Sequence, residues 1–411
     1  MPEVVKTTFA TSDFSVEGRA EERRFLQRVF LLGLALRVAV ASFIALLDLE
    51  SFFGGDAGTY DWVGWAIARY WAGETAFPVR PASQPGYFYV VAAFYFVFGR
   101  APFLVVLVNC AIGALHAILI YRIATLTFDR RVARGAALLT ACFPSLVLWS
   151  AQLLKDALVI FCTLLSLYAV LVLHQRFSLP WLALFFLALL PLHSLRNYVF
   201  YIVAFSALLS FVGHKRGPVV GLFVHAVLAF VFLLALNSLG LLERELQTLS
   251  IESVLEQIHM SRTKLARFAQ SGYEPEVDVS TLGGALRFLP IGLVYLLLAP
   301  FPWSIANVRQ AITLPEMVLW WGMLPWLLRG IALAVRQRLA NTFAILLFVG
   351  SLTLVYALFQ GNVGTAYRQR AQILVLLFIF VVAGWQRQRG AASWAPKTSR
   401  PPAPSLAKPI S

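Results

Sequence analysis

The stretch FLQRVFLLGLALRVAVASFIALL, residues 25–47, decides the fold. It is apolar apart from Gln27, Arg28, Arg37 and Ser42, and it exceeds the ~20 residues that a helix needs to cross a bilayer. Residues 1–24, the tail before it, are polar and carry Lys6, Arg19, Arg23 and Arg24. That basic flank predicts a cytoplasmic N-terminus. A polar tail of this length does not fit a cleavable signal, so the first span is expected to act as an uncleaved signal-anchor. Arg37, inside the span, reads as a buried structural partner of an acid.

Immediately beyond the run comes Gly54-Gly55-Asp56-Ala57-Gly58-Thr59-Tyr60-Asp61. It places the carboxylate of Asp56 at the outer mouth of the span. Charged groups beside hydrocarbon are costly and tend to be paired or functional. A plainer reading also stands, because Asp favours turns and helix N-caps.

The whole 411-residue chain repeats the character of this run. It is 59% hydrophobic and 13% charged, against about 25% charged in soluble domains. This composition excludes a soluble enzyme and predicts an all-α, polytopic integral membrane protein. The net charge of +14 sits between apolar runs, as in cytoplasmic loops, so no nucleic-acid partner is implied. Cys110, Cys142 and Cys162 lie inside apolar runs and read as small core residues. The six histidines show no metal-ligand spacing. No metal site or cofactor is assigned, and a divalent cation is left open.

Alternation of apolar runs with basic loops gives about ten transmembrane helices. After the first run, spans are expected at 103–128, 135–150, 157–173, 179–192, 198–212, 217–236, 313–335, 342–359 and 371–385. Residues 48–101 form a first outer loop with interfacial helices, one Trp- and Tyr-rich at 60–71 and one short at 86–98. Residues 238–285 form an amphipathic outer segment, with Leu242, Leu246, Leu249, Val254, Ile258, Leu265 and Phe268 near helical spacing. The apolar but proline-broken 288–303 reads as re-entrant or interfacial. The transmembrane domain runs over 25–390, and 391–411 reads as a disordered cytoplasmic tail.

With this topology, Asp56, Lys155-Asp156, His193 with Arg196, and Arg368 with Arg370 meet on the outer face. A carboxylate opposite arginines suits proton abstraction beside an anionic leaving group, since Arg binds phosphate bidentately. The bland alternatives are a solvated helix start at Lys155-Asp156 and headgroup anchors at His193, Arg196, Arg368 and Arg370.

Together these residues resemble the GT-C class of polytopic glycosyltransferases, which includes protein O-mannosyltransferases and the lipid A aminoarabinose transferase. Asp56 followed by Tyr60 is similar to the family's Asp-Glu-x-x-Tyr stretch, with Ala57 in place of the second acid. Pro85-Gly86-Tyr87-Phe88-Tyr89, closing in Phe98-Gly99, resembles its Pro-Pro-Leu-x-Tyr segment. Phe143-Pro144-Ser145 followed by Lys155-Asp156 is similar to its third span and trailing acid, although Lys155 is foreign to the mannosyltransferase pattern. Gly364-Thr365-Ala366-Tyr367-Arg368-Gln369-Arg370 resembles the late outer loop that meets a lipid phosphate in bacterial members.

The resemblance implies transfer of a sugar from a polyprenyl-phosphate donor to an outer-face acceptor, which is a glycan, lipid or protein. Asp56 would be the catalytic base. Lys155, Asp156, Arg196, Arg368, Arg370 and Tyr60 would bind substrate, Asp156 by orienting the sugar or a cation. The other partners are membrane lipids, and the location is the bacterial inner membrane with both termini cytoplasmic and the active site facing the periplasm. A polysaccharide polymerase or ligase, or a transporter of lipid-linked sugars, is the alternative.

Overall fold

The computed structural model describes residues 16–53, 55–76, 79, 81, 84–212, 251–269, 271–274 and 276–389. The described residues are helical and contain no strand, apart from one bridge between Gly272 and Asn362. The helices are α1 (Val16–Leu46), α2 (Glu50–Phe53), α3 (Gly55–Trp71), α4 (Gly86–Phe98), α5 (Pro102–Thr127), α6 (Arg130–Cys142) and α7 (Pro144–Ser150). They continue with α8 (Asp156–Gln175), α9 (Leu179–Val212), α10 (Ile251–Phe268), α11 (Leu282–Leu298), α12 (Val308–Gln337), α13 (Leu339–Phe359) and α14 (Val363–Arg389).

Seven of these are long and apolar enough to cross a membrane, and the pair α6–α7, bent by 54°, makes eight. The fold is therefore that of a polytopic all-α membrane protein. The predicted run at 217–236, the leucines at 242, 246 and 249, and the tail 391–411 lie outside the described residues.

α9 is two helices joined at a break, where the chain turns back on itself. A straight helix would hold Trp181 and Ser210 about 44 Å apart. Trp181 instead packs on Tyr168 and Ser210 bonds His174, two α8 residues only about 9 Å apart along their helix. The reversal falls at Arg196, which leaves the helical region (φ −161°, ψ 84°). Two antiparallel arms result, corresponding to the runs predicted at 179–192 and 198–212.

α14 is the central post. Every residue from Ala371 to Gly384 is buried, as expected of a helix apolar on all sides. It crosses α12 at backbone distance. A Cβ on Gly330 would overlap the Phe380 carbonyl, and one on Gly384 the Trp326 carbonyl. Small residues at such crossings are how membrane helices approach closely.

α11 dips inward and stops. Its last carbonyls lie beside α12 and α14: Trp320 Nε1 donates to Leu297 O at 2.7 Å and Trp321 Nε1 to Leu298 O at 3.1 Å. The chain then climbs back through residues 299–307 to the start of α12. Backbone left unpaired at membrane depth would cost several kcal/mol per group. Arg370 removes that cost, donating through Nη1 to the carbonyls of Leu296, Leu297 and Ala299 at 3.0–3.4 Å.

Two more buried arginines play the same part. Arg37 donates to the carbonyls of Thr140 and Ala141 at the α6–α7 bend, and to Ser150 Oγ at 2.8 Å. Its partners are thus carbonyls and a hydroxyl, not the acid expected from the sequence. Arg262 on α10 holds the carbonyls of Tyr273, Glu274 and Val277 and stacks on Phe288. The part of the amphipathic segment that is described, α10, turns Leu255, Arg262 and Ala266 inward and leaves Val254 exposed.

Candidate active site

Acid and base residues gather at one end of the bundle, around a cavity of about 840 Å³. Four elements build it. α3 begins at Gly55 and puts Asp56 in its first turn, where a carboxylate is favoured by the helix dipole. α8 begins at Asp156, the turn of α9 contributes Arg196, and the first turns of α14 contribute Arg368.

Arg368 joins the two acids. Its Nη1 donates to Asp56 Oδ2 at 2.6 Å, while Nε and Nη2 fork onto Asp156 Oδ2 at 2.8 and 2.5 Å. Arg196 Nη2 donates to the other oxygen of Asp156 at 3.2 Å, and Arg196 Nη1 to Tyr356 Oη at 3.3 Å. Asp156 is thereby taken up on both oxygens, with its side chain 2% exposed. Asp56 is 61% exposed, and among the described residues no donor reaches its Oδ1. The two carboxylates thus have different work: one fixes the arginines, the other faces the cavity.

Lys155 is one cation with donors to spare. Its Nζ donates to Gln84 Oε1 at 2.5 Å, and no carboxylate pairs with it among the described residues. Burial first, and then the neighbouring Arg196, pull its pKa down to about 8. Tyr60 lines the same cavity, with its ring 4.8 Å from that of Tyr87. Burial, helped by Asp156 and Asp56, pushes its phenol above the usual range, so it stays a neutral donor.

The segment carrying Lys155-Asp156 is not the solvated helix start that the sequence also allowed. Gln152, Leu153, Leu154 and Asp156 are buried, and one face of α5 holds them. Asn109 Nδ2 lies 2.8 Å from Gln152 O and 3.0 Å from Leu154 O. His116 Nε2 lies 2.9 Å from Ala157 O. Gly113, between them, has no room for a Cβ against Arg37 and Ser150. Asn109, Gly113 and His116 follow i, i+4, i+7 spacing and so share a helix face. His116 is about 20 Å along α5 from its first residue. The acid-bearing segment is therefore recessed into the bundle.

The structure thus brings Asp56, Tyr60, Lys155, Arg196 and Arg368 to the cavity wall, with Asp156 directly behind. It does not bring Arg370, which is fully buried and turned to the α11 carbonyls and Met317 Sδ. Residues two apart on a helix point to different faces, so Arg368 and Arg370 cannot serve one site. His193 packs on Phe200 and Tyr201 and does not line the cavity. Sequence reasoning missed Gln84, Trp149 and Tyr198 on the cavity wall. It also missed Asn109 and His116, although polar residues inside an apolar span are themselves a signal. Among the described residues, no three His, Cys, Asp or Glu side chains gather so as to hold a metal ion.

Fold and site define a multi-pass membrane protein with a cavity of mixed apolar and cationic lining recessed into one end of its helix bundle. A family model described as dolichyl-phosphate-mannose-protein mannosyltransferase matches residues 79–239. This bears out the resemblance to GT-C membrane glycosyltransferases over that stretch, which contains Lys155, Asp156 and Arg196 but not Asp56, Tyr60 or Arg368. A comparison with curated proteins returned no match.

Proposed function

We propose that the protein transfers a sugar from a polyprenyl-phosphate donor to a hydroxyl acceptor within this cavity, with Asp56 as general base. One observation carries the reading. Two carboxylates from distant segments share Arg368, yet only Asp56 keeps an oxygen open to the cavity. The acceptor hydroxyl attacks the anomeric carbon and gives its proton to Asp56. The bond from that carbon to the phosphate oxygen breaks, and its electron pair leaves with the lipid phosphate.

Charge then grows on the departing phosphate. Lys155 meets it with N–H groups not used by Gln84, and Arg368 adds its fixed charge. Preorganised donors of this kind stabilise a developing anion without reorganising. Asp156 and Arg196 position Arg368 rather than contact substrate. Tyr60 donates to a sugar or phosphate oxygen. The family description, which names a lipid-phosphate sugar as donor and a protein as acceptor, supports the donor class. The topology expected from basic loops puts the cavity on the outer face of a bacterial inner membrane.

The test is sugar transfer by purified protein in detergent, where no gradient exists. A polyprenyl-phosphate sugar consumed in step with acceptor glycosylation supports the reading. Movement of lipid-linked sugar across vesicles with no transfer in detergent would instead establish a transporter.

A further inference from the structure

At the opposite end of the bundle, α1 and α5 part to leave a groove of about 690 Å³. Its lining is sorted by depth. Arg19 and Arg23 on α1 and Arg122 on α5 stand at the end. Leu26 and Phe30 follow on α1, and Ile118 and Leu115 on α5. On α1 these positions run i, i+4, i+7, i+11, one continuous stripe. On α5 they run back i, i−4, i−7. Charge therefore gives way to apolar surface along both walls, over roughly 10–16 Å on α1.

Glu22 also lines the groove, but its carboxylate is held by Arg122 at 3.2 Å and Arg130 at 3.5 Å. Among the described residues no carboxylate pairs with Arg19 or Arg23. Two guanidinium groups with no described carboxylate partner, above an apolar cleft, match an amphiphile with an anionic head. Basic residues are favoured at this end by the positive-inside bias, and that leaflet supplies anionic lipid.

We propose that this groove binds one anionic glycerophospholipid, its phosphate on Arg19 and Arg23 and an acyl chain along Leu26, Phe30, Leu115 and Ile118. The site does not depend on the catalytic reading. It tethers α1 to α5, the helix whose other residues hold Lys155-Asp156 in place.

The test is native mass spectrometry after exchange from nanodiscs of phosphatidylglycerol or phosphatidylcholine. One retained phosphatidylglycerol and no retained phosphatidylcholine is expected of the unaltered protein, which needs no variant. The double variant R19Q/R23Q should weaken retention about 30-fold, following the contribution of basic residues to anionic-lipid binding. The pair R24Q/R28Q removes the same charge from exposed positions of α1 outside the groove and should leave retention unchanged. Equal retention of both lipids, no retained lipid, or equal loss in both double variants would overturn the proposal. So would millimolar inorganic phosphate raising the melting temperature as much as phosphatidylglycerol does, since that marks a simple ion site.

Discussion

Lys155 and Asp156 are chain neighbours with separate tasks. Asp156 is spent on two arginines, while Lys155 keeps donors for a ligand. The lysine pKa of about 8 lies below the ordinary value of 10.5, so the charge is present below pH 8 and lost above it. Donor affinity should therefore fall as pH rises through 8, read as a rising KM for the lipid-phosphate sugar. Lys155→Arg should hold KM flat across that range, because arginine stays protonated. Lys155→Gln should reduce kcat/KM roughly 10²-fold, and an unchanged value would remove Lys155 from phosphate binding. At this scale the sequence singled out candidate acids and cations, through their cost beside hydrocarbon. It did not tell which were already neutralised, because pairing depends on contacts between segments as far apart as Asp56 and Arg368. Arg370 illustrates the limit: its charge marked it as a ligand for phosphate, but its face on α14 gives it to backbone carbonyls.

Helices in this protein end, bend and dip inside the bundle, and buried side chains satisfy the backbone that they leave unpaired. Arg37 serves the α6–α7 bend, Arg262 the turn after α10, and Arg370 the end of α11. Arg370→Met should therefore lower stability by roughly 3 kcal/mol, as the Leu296 and Ala299 carbonyls lose their side-chain donor while Leu297 keeps Trp320, and the surviving folded protein should keep its KM for donor. A large KM change without loss of melting temperature would return Arg370 to the substrate site. Asn109→Leu should act the other way. It frees the carbonyls of Gln152 and Leu154, displaces Lys155-Asp156, and should lower kcat far more than protein yield, as judged by steady-state rates on matched preparations. The apolar runs made most of these helices legible in the sequence. The reversal at Arg196 and the inward dip of α11 were expected in place, from His193-Arg196 and from the prolines in 288–303. The recess of residues 151–155 was not, because its partners Asn109 and His116 stand inside an apolar span where periodicity is silent.

The bundle as a whole separates two chemistries by its length. Salt bridges from Glu21 and Glu22 to Arg134, Arg122 and Arg130 mark the end where α1 begins. The carboxylates of Asp56 and Asp156 mark the other. The positive-inside bias of the basic loops predicts that the first end is cytoplasmic. Cysteines at Glu74 and Thr365 should thus react with a membrane-impermeant reagent in whole spheroplasts, and one at Arg131 only after lysis; the reverse pattern would invert the topology. The all-α, multi-span architecture was plain in composition alone, whereas the meeting of α3, α8, α9 and α14 at one cavity is a product of three-dimensional packing. The central claim remains that Asp56 takes the acceptor proton. Its most direct test is the rate of sugar transfer by purified Asp56→Asn protein beside the unaltered protein. General-base loss predicts a fall of roughly 10²–10⁴-fold with normal membrane yield and melting temperature. Transfer at the full rate would contradict it.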